Sequence, residues 1–235
     1  MTGALEAVRA RRSWSKVTDA APTRAELLVL VSAAGRVADH SSLRPWRLIE
    51  LRGDDRARLG AAIAEAQGDD EPSTKPLRAP LLIAVVASYR RSEKVPRWEQ
   101  EAVASGVAHV LSLLLDEAGW GVIWRTGSYT RSAAVARAHR LGEDEELLGW
   151  LYVGGKPAGA RPGRRKLVDA RTMLHRLPPA VNGDTVAGSG GEEPAAKLGK
   201  KAKKKARKKA KKAEKRARKA EKKARDASGT GGAQA

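Results

Sequence analysis

Thirty residues near the C-terminus, Lys197 to Asp226, hold eighteen Lys or Arg and three acids, so this segment carries +15 of the chain's formal +19. Like-charge repulsion opposes compaction of such a stretch, so any packed structure must come from the nearly balanced residues before it. Residues 178–196, with Pro178-Pro179 and Gly188-Ser189-Gly190-Gly191, contain almost no large apolar side chains to offset the entropy of ordering. The expected organisation is a folded domain over residues 1–177, a flexible linker over 178–196 and a basic tail over 197–235. A body of about 180 residues is a comfortable size for one hydrophobic core.

Cysteine is absent, which removes disulfides, thiolate nucleophiles and Cys-ligated metal centres and fits a reducing cytoplasm. Met1 to Ser13 lacks the apolar block of a signal peptide, and the longest apolar run, Leu81 to Ala87, is too short to span a bilayer. A cytoplasmic chain without membrane insertion is expected.

Leu5 and Val8 suggest a short opening helix, and Thr23 to Glu26 reads as a capping box ahead of Leu27, Leu28, Leu30 and Val31. Trp46 to Leu51 reads as a strand, and Gly53-Asp54-Asp55 as a turn opening a helix through Ile63. Residues 68–80, with three prolines, read as a loop before a buried strand over Leu81 to Ala87. Val103, Val107, Val110, Leu111, Leu114 and Leu115 recur at helical spacing, which predicts a central core helix stopped by Gly119. Gly121 to Trp124 reads as a strand, Ser132 to His139 as a short helix and Leu147 to Val153 as a last buried strand. Helices lead and one long helix precedes the last strands, so α+β fits better than a doubly wound parallel sheet.

Standard catalytic signatures are missing: there is no Gly-x-Ser-x-Gly elbow, no phosphate loop with Gly-Lys-Thr and no His-Glu-x-x-His. Glu99 and Glu101 are two apart on a helix and diverge, which disfavours a carboxylate pair. His109, among apolar residues of the central helix, reads as a hydrogen-bonded core histidine, and His139 and His175 as surface residues. No metal ligand and no catalytic acid or base is nominated.

Five segments occur in a telling order: Arg11-Arg12-Ser13, then Asp39-His40 with Pro45-Trp46, then Lys94-Val-Pro-Arg-Trp-Glu-Gln-Glu101, Ile123-Trp-Arg-Thr-Gly127 and Gly149-Trp-Leu-Tyr-Val-Gly154. Together, over about residues 5 to 177, they resemble the FMN-dependent nitroreductases, most closely the short YdjA-type branch of NAD(P)H nitroreductases. The resemblance implies a mostly antiparallel central sheet surrounded by helices in an interlocked homodimer.

It further implies that Arg11, Arg12 and Ser13 bind FMN, with Trp124, Arg125 and Thr126 as a second contact, while Arg36 and His40 reach the flavin of the partner subunit. Arginines would be charge-assisted partners of the flavin phosphate. The nicotinamide cofactor, NADH or NADPH, would lie against Leu114, Leu115, Asp116, Glu117, Ala118 and Gly119. The implied mechanism is ping-pong: a hydride passes from NAD(P)H to the flavin, and electrons then pass to a small-molecule acceptor such as a nitroaromatic or quinone. Three positions depart from the branch, with Ala38 for proline, Arg44 for glutamine and Thr126 for serine. The bland alternatives are an exposed helix end for Arg11-Arg12, where cations favour the dipole, and core or interface packing for Trp46, Trp120 and Trp124.

Alanines at 202, 206, 210, 213, 217, 220 and 224 would line one face of a helix formed by the tail on a polyanion. Nucleic acid is the favoured partner of residues 197–226, bound through phosphates without sequence preference and with steep salt dependence. That would make the protein nucleoid- or ribosome-associated. Anionic membrane contact and a merely solubilising tail are the other readings. The rival to an oxidoreductase is a nucleic-acid-binding protein that keeps the nitroreductase fold as a dimerisation body with little turnover.

Overall fold

The computed structural model describes residues 3–160 and 167–177, and the linker and basic tail expected from the sequence lie outside them. The chain divides into two compact units, Met1–Val168 and Asp169–Ala235. In the second, the described residues contain a 3₁₀ turn, Ala170–Thr172, where Asp169 Oδ1 accepts from the Arg171 amide at 3.0 Å, and His175 is exposed as expected.

The first unit runs α1 (Ala4–Ala10), α2 (Arg24–Ala34), β1 (Trp46–Leu51), α3 (Asp54–Gln67), β2 (Leu81–Ser88), α4 (Arg97–Glu117), β3 (Trp120–Arg125), α5 (Ala133–Ala138) and β4 (Glu145–Gly155). Its four strands form one antiparallel sheet in the order β1-β2-β4-β3. β2 is buried along its whole length. Leu81, Ile83 and Val85 face α2 and α4, where Leu27, Val107, Leu111 and Leu115 close one core. Leu82, Ala84 and Val86 face the other way, against Leu59 and Ile63 of α3 and Val135 of α5. Burying five Leu, Ile or Val side chains in this one strand contributes on the order of 10 kcal/mol before the cost of ordering the backbone.

Local chemistry sets the helix ends. Thr23 accepts from the Glu26 amide while the Glu26 carboxylate accepts from the Thr23 amide at 2.7 Å, so the expected capping box opens α2. Ser132 caps α5 by accepting from the Val135 amide. The residues before α2 return along the sheet: the Trp14 amide donates to the Val122 carbonyl at 3.0 Å, and Thr18 bridges Gly155. This close approach uses Gly154, where a Cβ would stand 2.6 Å from the Thr18 carbonyl oxygen.

Pairing of β2 with β4 shifts between Val85 and Val86, which oppose Gly149 and Leu147, so Leu148 is the extra residue of a bulge. Gly149 adopts φ +138°, and a Cβ there would lie 2.6 Å from the Arg125 carbonyl oxygen and 2.7 Å from Trp124 Nε1. The bulge thus allows the end of β3 to settle onto β4.

Two histidines exchange the roles expected of them. His109 is exposed, because α4 turns Val107, Ala108 and Leu111 to the sheet instead. His139 is only 5% exposed: α5 ends by turning it inward, where its Nε2 accepts from Trp150 Nε1 at 2.9 Å and its Nδ1 meets the Val135 carbonyl at 2.8 Å. Accepting at Nε2 assigns the proton of the neutral ring to Nδ1.

Burial holds the His139 pKa below its ordinary 6.5, Arg47 lowers it further, and the Val135 carbonyl opposes the shift. The unfolded chain therefore takes up a proton first as pH falls. The stability from the neutral ring is complete above pH 6.5 and declines below it. Urea unfolding over that range should show stability falling by up to about 1.4 kcal/mol per pH unit from this group. His139→Gln should flatten that part of the slope, and an unchanged slope would contradict the assignment. Gly149→Ala should destabilise the fold by about 1–3 kcal/mol through the strained φ and the collision with Trp124 and Arg125, read as a lower urea midpoint.

Candidate active site

Arg11, Arg12 and Ser13 follow directly on α1. The Arg11 amide closes the helix on the Ala7 carbonyl, and Arg12 Nη1 folds back to donate to the carbonyls of Arg9, Ala10 and Arg11 at 2.6, 2.9 and 2.9 Å. In this structure Arg12 therefore does what a cation at a helix C-terminus does, compensating unpaired carbonyls. Ser13 is exposed, and the Trp14–Val122 hydrogen bond fastens the segment to the edge of β3.

Trp124 and Arg125 lie further along that edge, about 7 and 10 Å from Val122 at strand rise. Strand alternation sends them to opposite faces. Trp124 packs with the α2 and α4 core and meets the exposed His109 edge-on, with ring centres 5.0 Å apart and planes at 64°. Arg125 lies on the other face, its guanidinium carbon 5.4 Å from the centre of the Tyr152 ring. Thr126 is exposed beyond the strand. Trp124 Nε1 and Arg125 Nε are both buried without a hydrogen-bond partner. Buried donors of this kind cost free energy unless an acceptor is supplied.

Arg125 has cationic company that the sequence reading missed. Lys75 Nζ stands 5.3 Å from the centre of the Tyr129 ring, and Arg78 belongs to the same 3₁₀ turn, Lys75–Arg78. The Tyr152 phenol senses Arg125 and Arg78. Burial pushes its pKa up to about 12, Tyr129 adds to that, and the positive charges of Arg125 and Arg78 oppose it. It stays protonated near neutrality and is no general base. No pattern in the proline-bearing loop marks Lys75 or Arg78, whereas Gly149 within an apolar strand was a readable sign of close backbone approach.

The Leu114–Gly119 stretch ends α4 beside the Arg12 segment. Leu115 is buried, Leu114 half-buried, and Glu117, Ala118 and Gly119 are exposed. Asp116 accepts from Trp14 Nε1 at 3.3 Å and pairs with Lys156 Nζ at 3.0 Å. A cleft of about 260 Å³ lies between Ala10, Arg12, Trp14, Asp116, Glu117 and Lys156. It brings an expected flavin contact and the expected nicotinamide stretch onto one surface.

Arg36 and His40 are placed elsewhere. Both are exposed in the segment after α2, and His40 Nδ1 lies 2.9 Å from Glu99 Oε1 at the start of α4. From Glu99 to Asp116 the helix rises about 26 Å. One chain therefore does not unite these two residues with Arg12. Glu101 approaches Arg131 at 3.7 Å, so the carboxylates of Glu99 and Glu101 diverge as expected. Trp46 and Trp120 are half-buried against the α2 and α4 core, the packing role weighed for them.

The sequence profile of the nitroreductase family matches residues 8–155. The Escherichia coli (strain K12) protein named "Putative NAD(P)H nitroreductase YdjA" is 38% identical over 159 residues, covering 64% of this chain and 87% of that one. The nitroreductase-like family protein from Bacillus cereus has the same fold, with a TM-score of 0.67 at 20% identity over 75% of this chain and 97% of that one. The FMN and NADPH-dependent nitroreductase NfnB from sphigopyxis sp. strain HMH superposes with a TM-score of 0.60 at 20% identity, over 75% of this chain and all (100%) of that one. With its antiparallel sheet between two helical layers and a profile match spanning more than half its length, the chain belongs to the nitroreductase family.

Proposed function

We propose that this chain is an NAD(P)H-dependent FMN oxidoreductase, active as a homodimer, that passes electrons to nitroaromatic or quinone-type acceptors. The observation that carries this reading is the buried Arg125 Nε, a donor without a partner, on the strand to which Trp14, the residue after the Arg11–Ser13 segment, is bonded. A flavin nucleotide offers phosphate, ribityl and ring acceptors that such a donor fits. Family membership and the names of the relatives support the same choice.

Arg11, Arg12, Ser13, Arg125 and Thr126 would hold FMN from one chain, with Lys75 and Arg78 adding positive potential. Arg12 commits only Nη1 to the helix carbonyls. Arg36 and His40 of a second copy would complete the site, which accounts for their distance from Arg12 along α4. Exposed Leu5, Val8, Leu28 and Val29 supply apolar surface for such pairing. Held by these residues, FMN would supply the redox chemistry of a ping-pong exchange between NADH or NADPH and the acceptor. The cations would stabilise negative charge that accumulates on reduction, while the Tyr152 phenol remains neutral.

The basic segment 197–226 would tether the dimer to nucleic acid, with two tails acting together. No described helix is long and apolar enough to cross a membrane.

The purified protein should be yellow or take up added FMN, and should oxidise NADH or NADPH with a quinone or nitro acceptor. A colourless protein that binds no FMN and shows no turnover would sink the enzyme reading and favour a nucleic-acid-binding body. Arg125→Ala should weaken FMN binding about tenfold or more with thermal stability nearly unchanged. Removal of residues 197–235 should leave FMN binding intact and abolish retention on DNA at low salt. Equal retention by the truncated chain would refute the tether.

A further inference from the structure

The loop between β2 and α4 is held far more firmly than an exposed loop requires. Gln100, 2% exposed, accepts from the Arg90 amide at 2.8 Å and donates through Nε2 to the carbonyls of Arg90 and Val95 at 2.9 and 3.0 Å. Ser92 Oγ accepts from the amides of Lys94 and Val95, and Val95 is buried beneath them. Arg97 lies 3.9 Å from the centre of the Tyr89 ring and pairs with Glu146. This rigid frame presents Arg90, Arg91 and Lys94 to solvent, and none of them forms an ion pair among the described residues. Beside them stands Trp98, a large aromatic left 71% exposed in the first turn of α4.

Neither the core nor the residues assigned to FMN use this constellation. Its position gives it a role, because Trp98 immediately precedes Glu99, whose carboxylate is bonded to His40. His40 is one of two residues through which each chain would reach the flavin site of the other. In such a dimer the start of α4, with Trp98 and the cations of the loop before it, would lie at the edge of that site.

We infer that this patch binds the adenosine end of the electron donor, with adenine stacked on Trp98 and the 2′-phosphate of NADPH held by Arg91 and Lys94, assisted by Arg90. The inference rests on the dimeric oxidoreductase reading for its placement. A base stacks on a free aromatic face without requiring a deep pocket. A phosphate with two negative charges selects clustered guanidinium and ammonium groups, and a preorganised loop loses little entropy on binding it. The same geometry makes NADPH the preferred donor over NADH, since NADH lacks the group that the cations address.

Binding of 2′,5′-ADP to the full-length protein, measured by calorimetry, tests the inference without turnover. The parent should bind it more tightly than 5′-AMP. Trp98→Ala should weaken 2′,5′-ADP at least about fivefold. The double variant Arg91→Ala/Lys94→Ala should weaken it about tenfold or more and remove the preference over 5′-AMP. In turnover, both variants should raise KM for NADPH while kcat, acceptor KM and bound FMN stay at parental values. Unchanged 2′,5′-ADP affinity in both variants overturns the inference, as does a Trp98→Ala effect confined to the acceptor KM. A protein that carries FMN and turns over, yet binds 2′,5′-ADP independently of Trp98, refutes this assignment alone. Failure to bind FMN at all refutes the functional reading beneath it.

Discussion

β2 is the member on which the architecture depends. A strand whose side chains are apolar on both faces has no side that water can cover, and its neighbours β1 and β4 take up its backbone hydrogen bonds. Both faces must be roofed by helices, which α2 and α4 do on one side and α3 and α5 on the other. Function is thereby driven to the sheet's ends and outer edge. The residues after α1 are bonded to β3 at Val122, and the loop after β2 is held to the start of α4 by Gln100.

At the end of β3, ordinary strand alternation separates two adjacent residues into different chemistry. Trp124 enters the layer of α4, where His109 meets it, and Arg125 enters the layer that contains Tyr152 and Lys75. Their Nε1 and Nε atoms are both buried without a hydrogen-bond partner among the described residues. For the flavin proposed to bind here, packing that already holds Arg125 in place would lower the reorganisation that binding demands.

Much of this was legible in the chain. Thr23 and Glu26 announced α2 because a capping box is local chemistry, and Leu81 to Ala87 announced β2 because an apolar run bounded by proline has few other uses. The two histidines were misjudged for a common reason. Apolar neighbours in sequence told nothing of which side of α4 His109 occupies, and a short helix gave too little periodicity to show that His139 turns inward toward Trp150. Lys75 and Arg78 were missed because their place near Tyr129 and Tyr152 arises from tertiary folding, which no spacing encodes. Gly149 within an apolar strand marks a close backbone approach, and the end of β3 is what approaches it.

The length of α4 carries a consequence of its own. A stiff rod keeps Arg12 and His40 apart in every chain, so in the proposed dimer each catalytic pocket belongs to a pair and to neither member alone. Dilution that parts the copies would then empty both pockets at once, making catalytic competence respond to cellular abundance more steeply than in proportion.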